Sequence, residues 1–195
     1  MVHIMAYHHG DLRRAVLDAA LEVIATSGPG AISLRDLARR AGVSHAAPAH
    51  HFKDKAGLLT AIAVEGNELL ADSLTEALDE DRTGLIDLGV RYVRFALEHP
   101  AHFEVMYRPD LYHRRAPELV AARERTGKLM RRTVELMPEE KRGPDAALAQ
   151  LAAWSAAHGF ANLVRGGNLD RTLGDRDPGE VFRGMARVLF GQSDD

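Results

Sequence analysis

The chain has 195 residues, of which 46% are hydrophobic, and it contains no cysteine. This composition predicts one or two folded domains and excludes disulfides, thiolate metal sites and a cysteine nucleophile. The formal net charge of −3 is unevenly distributed: residues 1–55 carry +2 and the remainder carries −5. This distribution is typical of a DNA-binding module attached to an acidic body. Since no run is apolar enough to span a membrane and the N-terminus has no secretory signal, we expect a cytoplasmic protein without a membrane partner.

The hydrophobic pattern predicts an all-α fold of about nine helices, because apolar residues recur at helical spacing and period-two alternation is scarce. A first helix is predicted over residues 10–27, where Gly28-Pro29-Gly30 ends it. After the helix-turn-helix described next, Asp54 is expected to cap a long helix. The remaining helices are predicted over residues 55–78, 83–99, 100–107, 117–137, 146–164 and 178–190, with a loop over 108–116.

Residues 33–52, with the sequence SLRDLARRAGVSHAAPAHHF, are typical of a helix, a tight turn and a second helix. In the first helix Leu34, Leu37 and Ala38 share one face, and Gly42 can end that helix in the left-handed conformation. Ser44 is predicted to cap a second helix over residues 45–52. A short helix held across another is the geometry that enters the major groove of DNA.

Three ordered segments resemble the TetR family of bacterial transcriptional regulators: RRAVLDAALEVIATSG, SLRDLARRAGVS and HHFKDKAGLLTAI. The stretches YHHGDLRRA, VSHAAP, HPAHFEVMY and AAHGFANLVRGGNL further resemble a subgroup with a WHG-type C-terminal domain. The resemblance implies a three-helix DNA-binding head over residues 10–70, joined by a long helix to an effector-binding and dimerisation domain over residues 71–195. It also implies a homodimeric repressor on a palindromic operator, released by a small molecule.

The candidate DNA-binding residues lie on or beside the second helix of the motif: Ser33, Arg35, Ser44, His45, Ala46, Ala47, His50, His51, Lys53 and Lys55. Within the resemblance, His51 and Lys55 match family positions that contact phosphate, and His50 and Lys53 cluster beside them. The alternative for the two histidines is a solvated loop pair. We expect base reading from His45 and the adjacent alanines on the exposed front of the helix, since histidine can bond a base edge and an alanine methyl can touch thymine.

Two residues of the second helix depart from the family pattern. The family usually has a tyrosine where this chain has Ala49, so one contact to the DNA backbone is missing. Pro48 would occupy the fourth helical position if Ser44 were the cap, which predicts a distorted entry to the helix. Together they predict readout that has few direct base contacts and depends on phosphates and DNA shape.

The body contains aromatic and polar residues at helical spacings, and the candidates for effector binding are Tyr92, Phe95, His99, Phe103, Tyr107, Trp154, His158 and Asn162. The alternative for each of them is a place in the core. Trp154 and His158 are i, i+4 neighbours on one helix face, and the mixture favours an apolar or aromatic effector of low charge. Residues 146–164, rich in alanine, and residues 178–190 are expected to form half of a four-helix dimer interface.

No catalytic motif appears in the sequence, so we expect no enzyme and no cofactor. The rival interpretation is a metal- or haem-binding helical sensor or enzyme that uses histidines of the body. His99, His102, His113 and His158 do not show a recognised ligand spacing. A third interpretation is a helical interaction protein whose head no longer binds DNA, which the departures at Pro48 and Ala49 make conceivable.

Overall fold

The computed structural model describes residues 9–80, 84–135 and 145–191, and within these ranges the chain is helical without any strand. The helices are α1 (His9–Ser27), α2 (Leu34–Arg40), α3 (Ala47–Phe52), α4 (Lys55–Asp79), α5 (Leu85–Glu98), α6 (Pro100–Met106), α7 (Pro117–Glu135), α8 (Ala146–Arg165), α9 (Asp170–Leu173) and α10 (Pro178–Phe190). A 3₁₀ turn, Pro29–Ala31, joins α1 to α2. The predicted all-α class with an N-terminal helix-turn-helix is confirmed.

The helix ends follow local capping signals, which explains why most predicted boundaries agree with the structure. The carboxylate of Asp145 accepts hydrogen bonds from the backbone N–H groups of Ala147 and Leu148 at 2.9 and 3.2 Å, and α8 begins there. Asp177 caps α10 in the same way, with Pro178 in the first turn. The single-turn helix α9 was not predicted, and the predicted helix ends at residues 83 and 137 lie outside the described residues.

The chain separates into two compact units. The first unit holds the described residues up to Gly66 together with Ala101–Val120, and the second holds Asn67–Pro100 and the described residues from Ala121 onward. In the first unit the helix-turn-helix shares one apolar core with α6 and the segment that follows it, including Val16, Leu17, Leu37, Phe52, Leu58, Ile62, Val105, Tyr112 and Leu119. The functional division predicted at residue 70 stays a prediction.

The second unit is organised by α5, α8 and α10, whose apolar faces meet in its interior. Phe182 on α10 lies against Gly89 on α5, where an added Cβ would sit 2.6 Å from the phenyl ring. The rings of Phe160 and Phe182 are 5.5 Å apart, so α8 contributes to the same contact. At the edge of this core, Arg183 of α10 forms an ion pair with Asp87 of α5, which lowers the pKa of that carboxyl against the cost of its partial burial.

Candidate functional site

The first helix of the motif, α2, is fixed at both ends by its own sequence. Ser33 accepts a hydrogen bond from the backbone N–H of Asp36 at 3.4 Å, which marks the N-terminal cap. Gly42 has φ +65°, the left-handed conformation that was predicted to end the helix. The N–H of Val43 then returns to the carbonyl of Ala38 at 3.0 Å, which closes the tight turn before the second helix.

The second helix, α3, begins later than the capping signal predicted. Ser44 does not cap it, because the helix starts at Ala47 and Ala46 occupies the cap position without a side-chain hydrogen bond. The prediction of a cap at Ser44 is therefore wrong. Pro48 explains the shift: its ring fixes φ and lacks an N–H, both of which suit the first turn of a helix and no later position.

The orientation of α3 also corrects one candidate for base reading. Ala47 is only 9% exposed and, with Pro48, packs against the interior of the first unit, so it does not lie on the exposed front of the helix. A six-residue helix has to bury one side to stay in place, and here the small apolar residues form that side. The exposed residues are His45 and Ala46 in the turn before the helix and His50 within the helix.

The exit from α3 is a tight turn centred on Lys53. This residue has φ 66° and ψ −60°, and the N–H of Asp54 donates to the carbonyl of Phe52 at 2.8 Å, the geometry of a γ-turn. Asp54 then caps α4 by accepting from the N–H of Gly57 at 2.7 Å, as predicted, and this hydrogen bond lowers the pKa of its carboxyl. Phe52 is buried in the core, where the Arg13 guanidinium lies 5.4 Å from its ring centre.

The basic residues at the end of α3 differ in how much they are engaged by the protein itself. His50 and Lys53 are exposed, and the half-buried His51 ring lies 5.5 Å from that of His50. Lys55 is half-buried, and its Nζ donates to the carbonyl of Gly30 at 2.8 Å. That bond joins the start of α4 to the 3₁₀ turn and leaves two N–H donors of the ammonium group for an outside acceptor.

A charged cluster ties three helices of the first unit together. The guanidinium of Arg14 on α1 donates to both carboxylate oxygens of Glu65 on α4 at 2.9 Å, and His102 on α6 lies 3.2 Å from one of them. The hydrogen bond from His102, reinforced by Arg14, holds the pKa of Glu65 at about 2. Arg14, which is exposed, also pairs with Asp18, so contacts within the first unit hold its guanidinium in place.

The second unit contains an apolar pocket of about 530 Å³, its mouth included. Residues from α4, α5, α7, α8 and α10 line it: Leu74, Leu85, Ile86, Leu88, Gly89, Tyr92, Met130, Gln150, Ala153, Trp154, Ala157, Phe182, Ala186 and Phe190. This lining contains no charged side chain. A concave, mostly apolar space with a few polar groups is the usual form of a small-molecule site.

The polar groups at the Tyr92 side of the pocket bond to one another. The indole N–H of Trp154 donates to the hydroxyl oxygen of Tyr92 at 3.3 Å, and that hydroxyl lies 2.9 Å from Nδ1 of His158. Burial, with the nearby positive charge of Arg165, lowers the pKa of His158, which favours the neutral form of its ring. The Tyr92 side of the pocket therefore suits an uncharged ligand, because its polar groups bond to one another and none of the lining residues is charged.

The structure places the predicted effector residues in three groups. Tyr92 and Trp154 line the pocket, and His158 adjoins it through the Tyr92 hydroxyl. Phe95, His99 and Asn162 belong to the second unit without lining this pocket. Phe103 and Tyr107 lie in the first unit, with their tilted rings 4.9 Å apart. Phe182 and Gln150 also line the pocket and were not among the predicted effector residues, although the apolar face of α10 was a signal for Phe182.

Two further observations concern metal binding and membrane spans. In the part of the chain that the structure describes, no three histidine, aspartate or glutamate side chains come together in a way that could hold a metal ion. Among the same residues, no helix is long and apolar enough to cross a membrane.

Comparison with known proteins agrees with this architecture. Residues 16–62 match the family model "Bacterial regulatory proteins, tetR family", and residues 85–189 match "Tetracyclin repressor-like, C-terminal domain". The HTH-type transcriptional regulator BetI of Escherichia coli O45:K1 is 35% identical over 81 residues, which are 42% of this chain and 42% of that relative's length. The subgroup with a WHG-type C-terminal domain stays a prediction.

Solved structures extend the similarity to nearly the whole chain. A protein of unknown function from Rhodococcus sp. RHA1 is 35% identical, with a TM-score of 0.78 over 95% of this chain and 97% of that one. NalD, the secondary repressor of the MexAB-OprM multidrug efflux pump in Pseudomonas aeruginosa, is 26% identical, with a TM-score of 0.61 over 94% and 97%. The family models together cover most of the chain, so this protein belongs to the TetR family of DNA-binding transcriptional regulators, with a helical ligand-binding domain.

Proposed function

We propose that this chain is a repressor that binds a palindromic operator as a homodimer and leaves it when a small, mostly apolar or aromatic effector binds. Operator binding would place it in the cytoplasm. The observation that carries the proposal is that α3 and the turn before it have one buried and one exposed side: Ala47 and Phe52 are buried, whereas His45 and Ala46 of the turn and His50 of the helix face solvent. Such a helix can enter the major groove with its exposed edge toward the bases. The similarity to NalD, described as a repressor, supports the sign of regulation.

Phosphate contacts supply most of the affinity in this proposal. The exposed side of α3 offers only the imidazole of His50 and the methyl group of Ala49, and the preceding turn adds the imidazole of His45 and the methyl group of Ala46. This is little for direct base reading. Lys53 and Lys55 follow at once and present ammonium groups beside the helix. Phosphate contacts of this kind fix the register of a short helix on the duplex.

Replacing Lys55 by alanine should weaken binding to all DNA sequences alike. Loss of one phosphate contact reduces the slope of log affinity against log salt by about 0.9. Because Lys55 also bonds to Gly30, the free energy of unfolding has to be measured on the same variant. The measurement is a fluorescence anisotropy titration of the full chain with duplex DNA, first of mixed sequence and then of the sequence obtained by selection from random duplexes.

The matched control is Lys128→Ala, which removes the same charge from an exposed position on α7 in the second unit. This control should leave the salt slope unchanged. If Lys55→Ala keeps the slope of the wild-type protein while the chain remains folded, the phosphate role of Lys55 is refuted. If the wild-type protein binds neither kind of duplex, the proposed operator binding itself is refuted.

The pocket supports the class of effector. Its lining is apolar apart from Tyr92, Trp154 and Gln150, and the first two satisfy each other. A charged ligand would have to lose its hydration without an opposite charge in the lining, which is costly. An aromatic or aliphatic ring system with at most one or two polar groups, one of them toward the Gln150 amide, fits this lining best.

The exposed apolar residues of α8 and α10 support the homodimer. Leucines of α8 face solvent at positions 148, 151 and 163, and on α10 Val188 and Leu189 are 86% and 57% exposed. Several exposed apolar residues on neighbouring helices are typical of an interface with another chain. Pairing two copies through these helices would bury them in a four-helix arrangement.

Sedimentation at micromolar concentration should therefore give the mass of two chains. Val188→Glu should shift the equilibrium toward the monomer, because it would bury a carboxylate without a partner. Val120→Glu places the same change on an exposed residue of the first unit and should leave the dimer intact. A monomeric wild-type protein, or a dimer that Val188→Glu does not weaken, would contradict the proposed interface.

A further inference from the structure

The loop between α6 and α7, residues 107–116, is built into the first unit together with the helix-turn-helix. Tyr112 is buried in the shared core and donates its hydroxyl proton to the carbonyl of Met106 at 2.8 Å. The backbone N–H of His113 donates to Thr60 Oγ1 on α4 at 3.0 Å, and that hydroxyl in turn donates to the carbonyl of Ala56. These contacts hold the loop in one place on α4.

The same loop reaches the junction between α3 and α4. Nε2 of His113 lies 3.4 Å from Oδ1 of Asp54, and Asp54 directly follows Lys53 in the γ-turn that ends α3. Side chains that flank His113 therefore lie near the basic end of the recognition helix. This neighbourhood arises from tertiary packing, because about sixty residues of sequence separate the two segments.

Arg114 and Arg115 occupy the two central positions of a turn that the N–H of Ala116 closes to the carbonyl of His113 at 3.1 Å. Both side chains are exposed, and over the described residues neither forms an ion pair. Arg108 at the start of the loop differs, since it lies 3.9 Å from Glu104 and 3.7 Å from Asp110. The loop thus presents two uncompensated guanidinium groups on the DNA-binding unit.

We infer that Arg114 and Arg115 bind backbone phosphates of the operator beside those that Lys53 and Lys55 contact. Consecutive Cα atoms are about 3.8 Å apart, so both arginines stay within a few residue lengths of the His113 side chain that touches Asp54. A guanidinium group can bind a phosphate through two parallel hydrogen bonds. Because the loop is already fixed by Tyr112 and His113, its backbone loses little conformational freedom on binding.

The inference rests on the proposed operator binding and extends it. Arg114 and Arg115 would add phosphate contacts from the loop after α6, which lies outside the helix-turn-helix. These contacts add affinity without base specificity, which compensates for a recognition helix that carries Ala49 and few polar groups.

The test compares the salt dependence of DNA binding for the full chain and for Arg114→Ala/Arg115→Ala, with mixed-sequence duplex DNA at about 0.05–0.2 M salt. Loss of two phosphate contacts should reduce the slope of log affinity against log salt by about 1.8. Arg114→Lys/Arg115→Lys keeps both charges and should retain most of the slope. Far-ultraviolet circular dichroism of each variant confirms that the helices are intact.

A matched control, Arg131→Ala/Arg132→Ala, removes two adjacent exposed arginines from α7 in the second unit. It should keep the wild-type slope. Equal losses in both double variants would show a general charge effect and overturn the inference. An unchanged salt slope for Arg114→Ala/Arg115→Ala would also overturn the inference. If Lys55→Ala lowers the slope in the same experiment, the proposed operator binding still stands.

Discussion

Gly57→Ala is expected to weaken DNA binding strongly by distorting the junction between the recognition helix and α4. A Cβ at this position would lie 1.9 Å from the carbonyl oxygen of Phe52 and 3.1 Å from its carbonyl carbon. That oxygen already accepts the hydrogen bond of the γ-turn, so it cannot move aside without breaking the turn. The cost should reach about 3 kcal/mol, the upper end of the usual penalty for overpacking.

Chemical denaturation followed by circular dichroism measures this loss, and an anisotropy titration with duplex DNA measures its effect on binding. Gly30→Ala is the matched control in the same unit, because a Cβ there has no atom within 4 Å. It should change the free energy of unfolding by less than about 0.5 kcal/mol, as surface substitutions do. A Gly57→Ala protein that matches Gly30→Ala in stability and DNA binding would show that the junction can relax around a methyl group.

Phe182→Ala should produce the largest loss of stability in the second unit and enlarge its pocket. The side chain is 2% exposed, packs on Gly89 of α5 and lies 5.5 Å from the ring of Phe160. Truncation of a buried phenylalanine costs about 3–5 kcal/mol, since it loses apolar burial and leaves a cavity. Because Phe182 also lines the pocket, the space it leaves adjoins the proposed effector site.

Denaturation gives the stability loss, and the change of melting temperature on adding benzene reports the new apolar space. Phe182→Leu is the comparison variant, since it retains most of the apolar contact with Gly89 and should lose much less stability than Phe182→Ala. A loss below about 1 kcal/mol for Phe182→Ala, or a benzene effect no larger than in the wild-type protein, would contradict the described packing of α10.

The start of α3 shows where sequence reasoning succeeds and fails at short range. The rule that serine caps helices favoured Ser44, whereas the structure begins the helix at Ala47. The deciding residue is Pro48, whose ring is compatible with the first turn of a helix and incompatible with its interior. Gly42 and Asp54, by contrast, act as predicted, because a left-handed turn residue and a helix cap depend on only a few neighbouring residues.

Some of the effector candidates lie outside the pocket for a different reason. Aromatic residues at helical spacing mark apolar faces, and a face does not reveal what it packs against. Phe103 lies on α6 and Tyr107 directly follows that helix, and both belong to the first unit, so they are absent from the pocket of the second unit. Phe182 enters that pocket because Gly89, remote in sequence, leaves room for its ring.

The sequence by itself determined the helices, the helix-turn-helix, the family and the basic end of the recognition helix, because periodicity, capping residues and motif order are local properties. Tertiary structure alone decided which helix faces meet. It placed the loop at residues 107–116 beside Asp54, brought Arg14 and His102 onto Glu65, and closed the pocket around Phe182. These contacts join residues far apart in the chain, and only the packing of side chains in a dense interior selects them.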